Sequence, residues 1–352
     1  LSILARYTAP TIPLADCIAS EFETFLNTWH AAPEVYDDAL DAQIHRWYAD
    51  ILTNRQRKVW PPRGTPYFSP SSANADPRSL YAKLTGAKKD DVKRPPHQGR
   101  WVRLGTLIGD CIQRDILFAE KHYETKIGKS PQFTFDRNTH AEPMFEQFAP
   151  GLATITHKDK TFALYGFCDG IMLYKTEDGE TLRVGLEVKS KQTTFSATSE
   201  YSTRNGPKED HVKQCVAYSL MYGVDYYVIL YVNASKKSWN MSDEDFAKSP
   251  DIKAFGLHIT DDMRTELLDS LANVMDAADN GVPPQLDVDK WLFNNFKRAC
   301  AVSLTDEELA DIQRQVSALQ RSSLPDYKKR GPAEALAEIE RIRAENTKEV
   351  AV

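Results

Sequence analysis

The sequence predicts an α/β protein: a mixed β-sheet flanked by helices, with helical additions at both ends. Three observations carry this. Residues 161–174 and 181–189 are rich in β-branched and aromatic side chains and meet at Glu177-Asp178-Gly179, where Asp-Gly is a strong hairpin signal. Next comes a helical pattern in which Val212, Cys215, Val216 and Ser219 form one face, followed by the apolar, strand-like run 225–233. The order helix, hairpin strands, helix, strand makes a layered sheet, and no phosphate-binding glycine loop or Walker sequence accompanies it.

Composition narrows the class. At 352 residues, with 41% hydrophobic and 27% charged side chains, the chain has the composition of a globular protein able to bury a sizeable core. A formal net charge of −6 argues against a histone-like polyanion binder but leaves room for a local basic groove. No apolar run approaches a membrane span, and the N-terminus lacks a basic-then-apolar secretory pattern. Cys17, Cys111, Cys168, Cys215 and Cys300 are scattered and form no Cys-x-x-Cys pair. The expectation is a reducing cytoplasm, bacterial or of a virus-infected cell, with an organelle as the alternative, and neither membrane nor nucleoside triphosphate as a partner.

The elements are expected in the following order. Residues 1–65 form a helical extension whose stripe is Leu40, Ile44, Trp47, Tyr48, Ile51 and Leu52, packing on the core. Pro61-Pro62, Pro66 and Pro70 break helix and mark a boundary, so the core is assigned to residues 66–300. A helix over 103–126 buries Leu104, Leu107, Ile108, Cys111 and Ile112. Strands are expected at 133–135, 152–156, 225–233 and 255–259, and a helix at 261–278. Residues 301–352 form a helical tail: Thr305-Asp306-Glu307-Glu308 is a capping box opening a helix to about Gln320, and Pro332 starts a second.

The chemistry concentrates in residues 166–218. Thr181, Arg183, Gly185, Glu187 and Lys189 alternate with Leu182, Val184, Leu186 and Val188, so Glu187 and Lys189 point together away from the apolar face. Glu-x-Lys alone is usually a surface pair. Asp169, however, stands in an apolar segment where an unpaired carboxylate is costly, and folding at Asp178-Gly179 brings it to Glu187. Two carboxylates beside an ammonium suit Mg²⁺ or Mn²⁺ and the hydrolysis of phosphate esters. Gln214 and Tyr218, four apart, share a face of the following helix. The polar stretch 190–210 carries Lys191, Arg204 and Lys208, with Lys213 just beyond. It is either a solvated loop or, beside a phosphodiester site, a surface for DNA phosphates, with Phe195 and Tyr201 available to stack on bases.

Asp169, Glu187-x-Lys189 and Gln214-x-x-x-Tyr218, in that order, resemble the PD-(D/E)xK nuclease superfamily, in particular its RecB-like branch, over about residues 66–300. The resemblance implies a restriction-endonuclease-like core in which Asp169, Glu187 and the main-chain carbonyl of Val188 bind metal. It makes Lys189 catalytic and has Gln214 and Tyr218 support the site or contact DNA. Two departures stand out. The branch's helix motif Gly-x-x-x-His reads Gly105-Thr106-Leu107-Ile108-Gly109 here, so Glu120, with Asp110 as second choice, is expected to supply the further metal ligand. The four-cysteine iron-sulfur set is reduced to Cys300, with Asp76, Trp291 and Asn294 at the other positions, so no cluster is expected. Arg78, in the Pro77-Arg78 element, is expected to contact DNA. The implied activity is a Mg²⁺- or Mn²⁺-dependent deoxyribonuclease. An exonuclease acting at DNA ends in recombination, repair or viral DNA processing is preferred, with an annealing or recombination protein as a partner. An endonuclease and a noncatalytic DNA-binding protein are the alternatives.

Overall fold

The computed structural model describes residues 13–91 and 93–350; the first twelve residues of the expected helical extension and the last two of the tail lie outside the described residues. In chain order the elements are α1 (Leu14–Ala31), α2 (Asp38–Thr53), β1 (Tyr67–Phe68), α3 (Pro77–Leu84), α4 (Pro96–Ile127), β2 (Phe133–Phe135), β3 (Leu152–His157) and β4 (Lys160–Tyr165). They continue with β5 (Gly170–Lys175), β6 (Thr181–Lys191), α5 (Glu200–Thr203), α6 (Glu209–Tyr222), β7 (Tyr226–Asn233), α7 (Asp243–Lys248), β8 (Ile252–His258), α8 (Asp261–Asn280), α9 (Lys297–Val302), α10 (Asp306–Arg321) and α11 (Asp326–Val350). The protein is therefore mixed α/β with helical N- and C-terminal regions. Among the described residues no helix is long and apolar enough to cross a membrane.

The chain divides into two compact units. Of the described residues, the first comprises 13–71, 94–154 and 163–264; the second comprises 72–91, 93, 155–162 and 265–350. The first is built on a mixed sheet of order β2-β5-β6-β7-β8, in which β6 and β7 are parallel and every other neighbour is antiparallel. The parallel step requires a crossover, which α6 supplies. β1 pairs in parallel with β4, Tyr67 opposite Ala163.

Both faces of the sheet are covered. On one, Met172, Tyr174, Val184, Leu186, Val228 and Leu230 meet Phe22, Phe25 and Leu26 of α1 and Ile112, Ile116 and Ala119 of α4. On the other, Cys215, Val216, Ala217 and Tyr218 of α6 are buried together with Tyr227 and Ile229. The even positions of β6 are core, as alternation requires. The odd face differs from the simplest reading, because Gly185 and Glu187 are buried too. Tyr227, the register partner of Gly185, lies across it so closely that a Cβ there would stand 2.0 Å from the ring.

α1 approaches β8 with similar intimacy: a Cβ on Gly256 would meet the Ala15 carbonyl oxygen at 1.8 Å. In α2, Ile44 and Ile51 are buried and Leu40, Trp47 and Tyr48 pack against the core, whereas Leu52 is exposed. α4 corrects the expected buried stripe. It begins at Pro96, whose missing N–H costs nothing in the first turn, and stops at Gly128 in the left-handed conformation. Full burial starts only at Ile112; Ile108 is half-buried, and Leu104, Leu107 and Cys111 are exposed, because among the described residues their face of the helix has no packed neighbour.

In the second unit, Trp291, Cys300, Leu304, Ile312, Val316, Ile339 and Ile342 make a separate core. Thr305 and Glu308 form the reciprocal capping box of α10. The following helix starts at Asp326 and includes Pro332, where a first turn was expected. Proline's fixed φ is helical, so the helix continues across it at the cost of one main-chain hydrogen bond.

Candidate active site

The β5–β6 hairpin turns through Gly179, which adopts a φ of 87°. Its last register pair is Gly170 with Leu186, so Asp169 stands one step beyond, opposite Glu187. The Asp169 Oδ2 accepts the Val188 N–H at 2.6 Å. Lys189 Nζ lies 2.5 Å from Glu187 Oε1 and donates to Gln214 Oε1 at 2.9 Å. Gln214 Nε2 donates to the Tyr218 hydroxyl at 3.3 Å, and that hydroxyl donates to the Phe167 carbonyl. A chain of contacts thus runs from Glu187 to the main chain two residues before Asp169, and five residues distant in sequence come together.

The electrostatics of the group are unbalanced. Glu187 is 2% exposed, and its Oε2 has no hydrogen-bond partner among the described residues. Burial and then the neighbouring Asp169 raise the proton affinity of Glu187, and burial does the same for Asp169. Burial opposes the charge of Lys189, but Glu187 outweighs it and holds the ammonium above its usual range. Burial raises the Tyr218 hydroxyl well above normal, so it remains a neutral donor.

Glu146 belongs to this neighbourhood and carries no motif that would have marked it. Its main-chain N–H donates to the Cys168 carbonyl at 2.9 Å, fastening the 146–148 turn beside Asp169. Its carboxyl is pushed up to about 7 by burial, then by Asp169 and Asp110. Gln113 of α4 donates to the Asp169 carbonyl at 2.9 Å, while its buried Oε1 has no partner among the described residues. The only sequence signal was local: a carboxylate between Phe145 and Phe148, both buried.

The residues fit a divalent ion coordinated by oxygen. The fit rests on the orphaned Glu187 Oε2, on two adjoining carboxyls whose raised proton affinity shows that their charges are not fully compensated, and on the hard-oxygen donor set. Among the described residues no three His, Cys, Asp or Glu side chains form a ready-made cluster. Mg²⁺ commonly takes one or two protein carboxylates and completes its shell with water and substrate phosphate, so a pair is sufficient.

Other expected site residues lie elsewhere. Glu120 accepts the Phe135 N–H and pairs with Arg137. Asp110 is the α4 carboxylate within the field of Asp169. Arg78 is 1% exposed and bonded to Glu308, the Ser303 carbonyl and the Pro284 carbonyl; it is a structural residue of the second unit and not available to DNA. Lys191 packs over the Tyr231 ring at 3.5 Å, and burial lowers its ammonium to about 8. Arg204 stacks on Tyr201, and Lys213 pairs with Glu209. Lys208 lies in the loop just before α6, its N–H bonded to Tyr231. In the second unit, Cys300 accepts a hydrogen bond from Asn294 and shares its core with Trp291, while Asp76 caps α3. One thiol among these four positions does not fit an iron-sulfur cluster.

No family model matches the chain, and no curated protein matches it. Solved structures do resemble it in part. The crystal structure of SSO0001 superposes with a TM-score of 0.38 at 9% identity, covering 74% of this chain and 98% of that one. An alkaline exonuclease, LHK-Exo from Laribacter hongkongensis, superposes at 0.34 with 15% identity over 67% of this chain and 95% of that one. LHK-Exo in complex with dAMP gives 0.34 and 14%, over 67% and 93%. At these values the likeness assigns neither activity nor ligand.

Proposed function

We propose that the protein is a Mg²⁺- or Mn²⁺-dependent deoxyribonuclease of the PD-(D/E)xK class, with its nuclease core in residues 66–300. The observation that carries this reading is the convergence of Asp169 and Glu187 with Lys189 at one end of the β5–β6 hairpin. Asp169, Glu187 and the Val188 carbonyl would hold the ion, with Glu146 nearby. When bound, the ion supplies positive charge to a phosphate oxygen.

The chain's own residues do the remainder. Lys189, held charged by Glu187, stabilises the negative charge that grows on the phosphoryl oxygens and orients the attacking water. Gln214 fixes the ammonium, and Tyr218 fixes Gln214 against the Phe167 carbonyl. Water forms the new P–O bond and gives up a proton to solvent, the ester P–O bond breaks, and the leaving oxygen takes a proton from solvent. A Lys that stays protonated is a poor general base, so Lys189 acts chiefly through its charge. Action at DNA ends, in recombination, repair or viral DNA processing, is the finer form of the proposal.

The test is degradation of end-labelled linear duplex and single-stranded DNA with Mn²⁺, alongside covalently closed circles, by the intact protein and by Glu187→Ala. Progressive shortening that spares circles and disappears in the variant supports an exonuclease. Cut circles replace it with an endonuclease, and no cleavage with any metal overturns the nuclease reading.

A further inference from the structure

The first half of α4 presents an exposed surface that mixes cations with large apolar side chains. The side chains of Arg94, just before the helix, and of Arg100 and Arg103 within it make no ion pair or hydrogen bond among the described residues. In contrast, Arg57, Arg114, Arg137, Arg183 and Arg264 each meet a carboxylate. Arg46 and Arg204 also lack a carboxylate but bond Gln43 and the Tyr201 carbonyl; the α4 arginines are set apart by falling within residues 94–103 beside exposed apolar side chains. Interleaved with these cations are exposed apolar side chains: Trp101 at 46%, Val102, Leu104 and Leu107 at 62%.

This half-helix is fixed beside the candidate site. Gln192 Nε2 donates to the Trp101 carbonyl at 3.0 Å and to Ser190 Oγ at 2.9 Å, tying the helix to the end of β6, the strand that carries Glu187 and Lys189. A Cβ on Gly105 would stand 3.2 Å from that Ser190 hydroxyl, so the helix sits close on the strand. Positions 103, 106, 110 and 113 share a helical face. Gln113 grips the Asp169 carbonyl, and Asp110 lies in the field of Asp169. Arg103 is therefore about 15 Å along the helix axis from the residue that touches the site.

We infer that residues 94–107 bind an unpaired stretch of the DNA strand leading to the cut, with Arg94, Arg100 and Arg103 on its phosphates and Trp101 stacked on a base. This rests on the nuclease reading for its destination and extends it to the substrate. Cations alone would serve a duplex backbone equally well. Exposed indole and aliphatic side chains between them favour exposed base faces, which offer stacking to any sequence. An acidic amphipathic protein segment is the competing occupant.

The experiment measures binding of the full-length protein to fluorescent dT20 and to a blunt 20-base-pair duplex. Ca²⁺ fills the carboxylates, and cleavage is monitored separately with Mn²⁺. The expected result for Arg100→Ala/Arg103→Ala is dT20 affinity lowered at least tenfold, with a salt dependence shallower by about 1.4 in log–log slope, as for two lost phosphate contacts to a single strand. Trp101→Ala should weaken dT20 by about 5- to 100-fold, with Trp101→Phe recovering most of it and the duplex little affected. Melting temperatures of the variants guard against unfolding. Wild-type affinity for dT20 in both the arginine and tryptophan variants overturns the inference and leaves the surface to a protein partner. An equal loss on duplex from Trp101→Ala overturns the assignment to unpaired DNA. Binding is read without cleavage, so it can fail while Mn²⁺-dependent cutting and its loss in Glu187→Ala stand, and the reverse also holds.

Discussion

Asp169 accepts the main-chain N–H of Val188 at 2.6 Å, so the carboxylate on one strand of the hairpin is held by the backbone of the residue that follows Glu187 on the other. This bond fixes the distance between the two carboxylates by the hairpin register and not by side-chain packing alone. Asp169→Asn retains an acceptor for Val188 but removes a buried charge. The expected outcome is a folded protein, more stable than wild type without metal at neutral pH, since the raised proton affinity of Asp169 means that its charged form costs stability there. DNA cleavage should fall by at least about 100-fold. Thermal melts and Mn²⁺-supported cleavage check the two halves.

Glu187→Gln removes the second carboxylate while preserving shape. Titration calorimetry with Mn²⁺ should show binding in the wild type and none, or binding weakened at least about tenfold, in the variant. Unchanged affinity would place the ion elsewhere.

The raised carboxyl of Glu146 sets the sign of a pH effect. Its folded-state value of about 7 lies above the ordinary 4.5, so the folded state binds a proton that the unfolded chain releases. The resulting stabilisation is complete below about pH 4.5 and is lost as the pH rises through about 7. Metal-free protein should therefore melt at progressively lower temperature between about pH 5 and 8. Glu146→Gln should flatten this trend, and saturating Mg²⁺ should oppose it. Melts across that range, with and without Mg²⁺, decide the matter.

Arg78 gives a prediction of the opposite kind. Buried against Glu308 and two carbonyls, it should cost about 2–4 kcal/mol when replaced by Ala, through lost bonds and a stranded acceptor set. DNA affinity at a temperature where the variant is folded should not change. Denaturant melts and anisotropy separate these effects.

Gly185→Ala tests the floor of the site. The new methyl has to displace the Tyr227 ring, which a Cβ would meet at 2.0 Å. A loss of about 1–3 kcal/mol is expected from overpacking, together with reduced cleavage because Glu187 is two residues along the same face.

The sequence alone determined the local rules: the alternation of β6, the turn at Asp178-Gly179, the Thr305 capping box, and the order of Asp169, Glu187, Lys189, Gln214 and Tyr218. Each depends on neighbours within a few residues, or on a spacing that backbone geometry converts directly into a shared face. Only the tertiary structure decided burial and partnership. It turned Glu187 from a residue pointing out of the sheet into one covered beneath α6, brought in Glu146 from a turn 41 positions away, sent Glu120 to Arg137 and sealed Arg78 against Glu308. It also left Leu104 and Leu107 of α4 exposed, although their apolar pattern matched the covered half. A pattern of side chains specifies a face, but what covers that face is fixed by contacts between segments far apart in the chain.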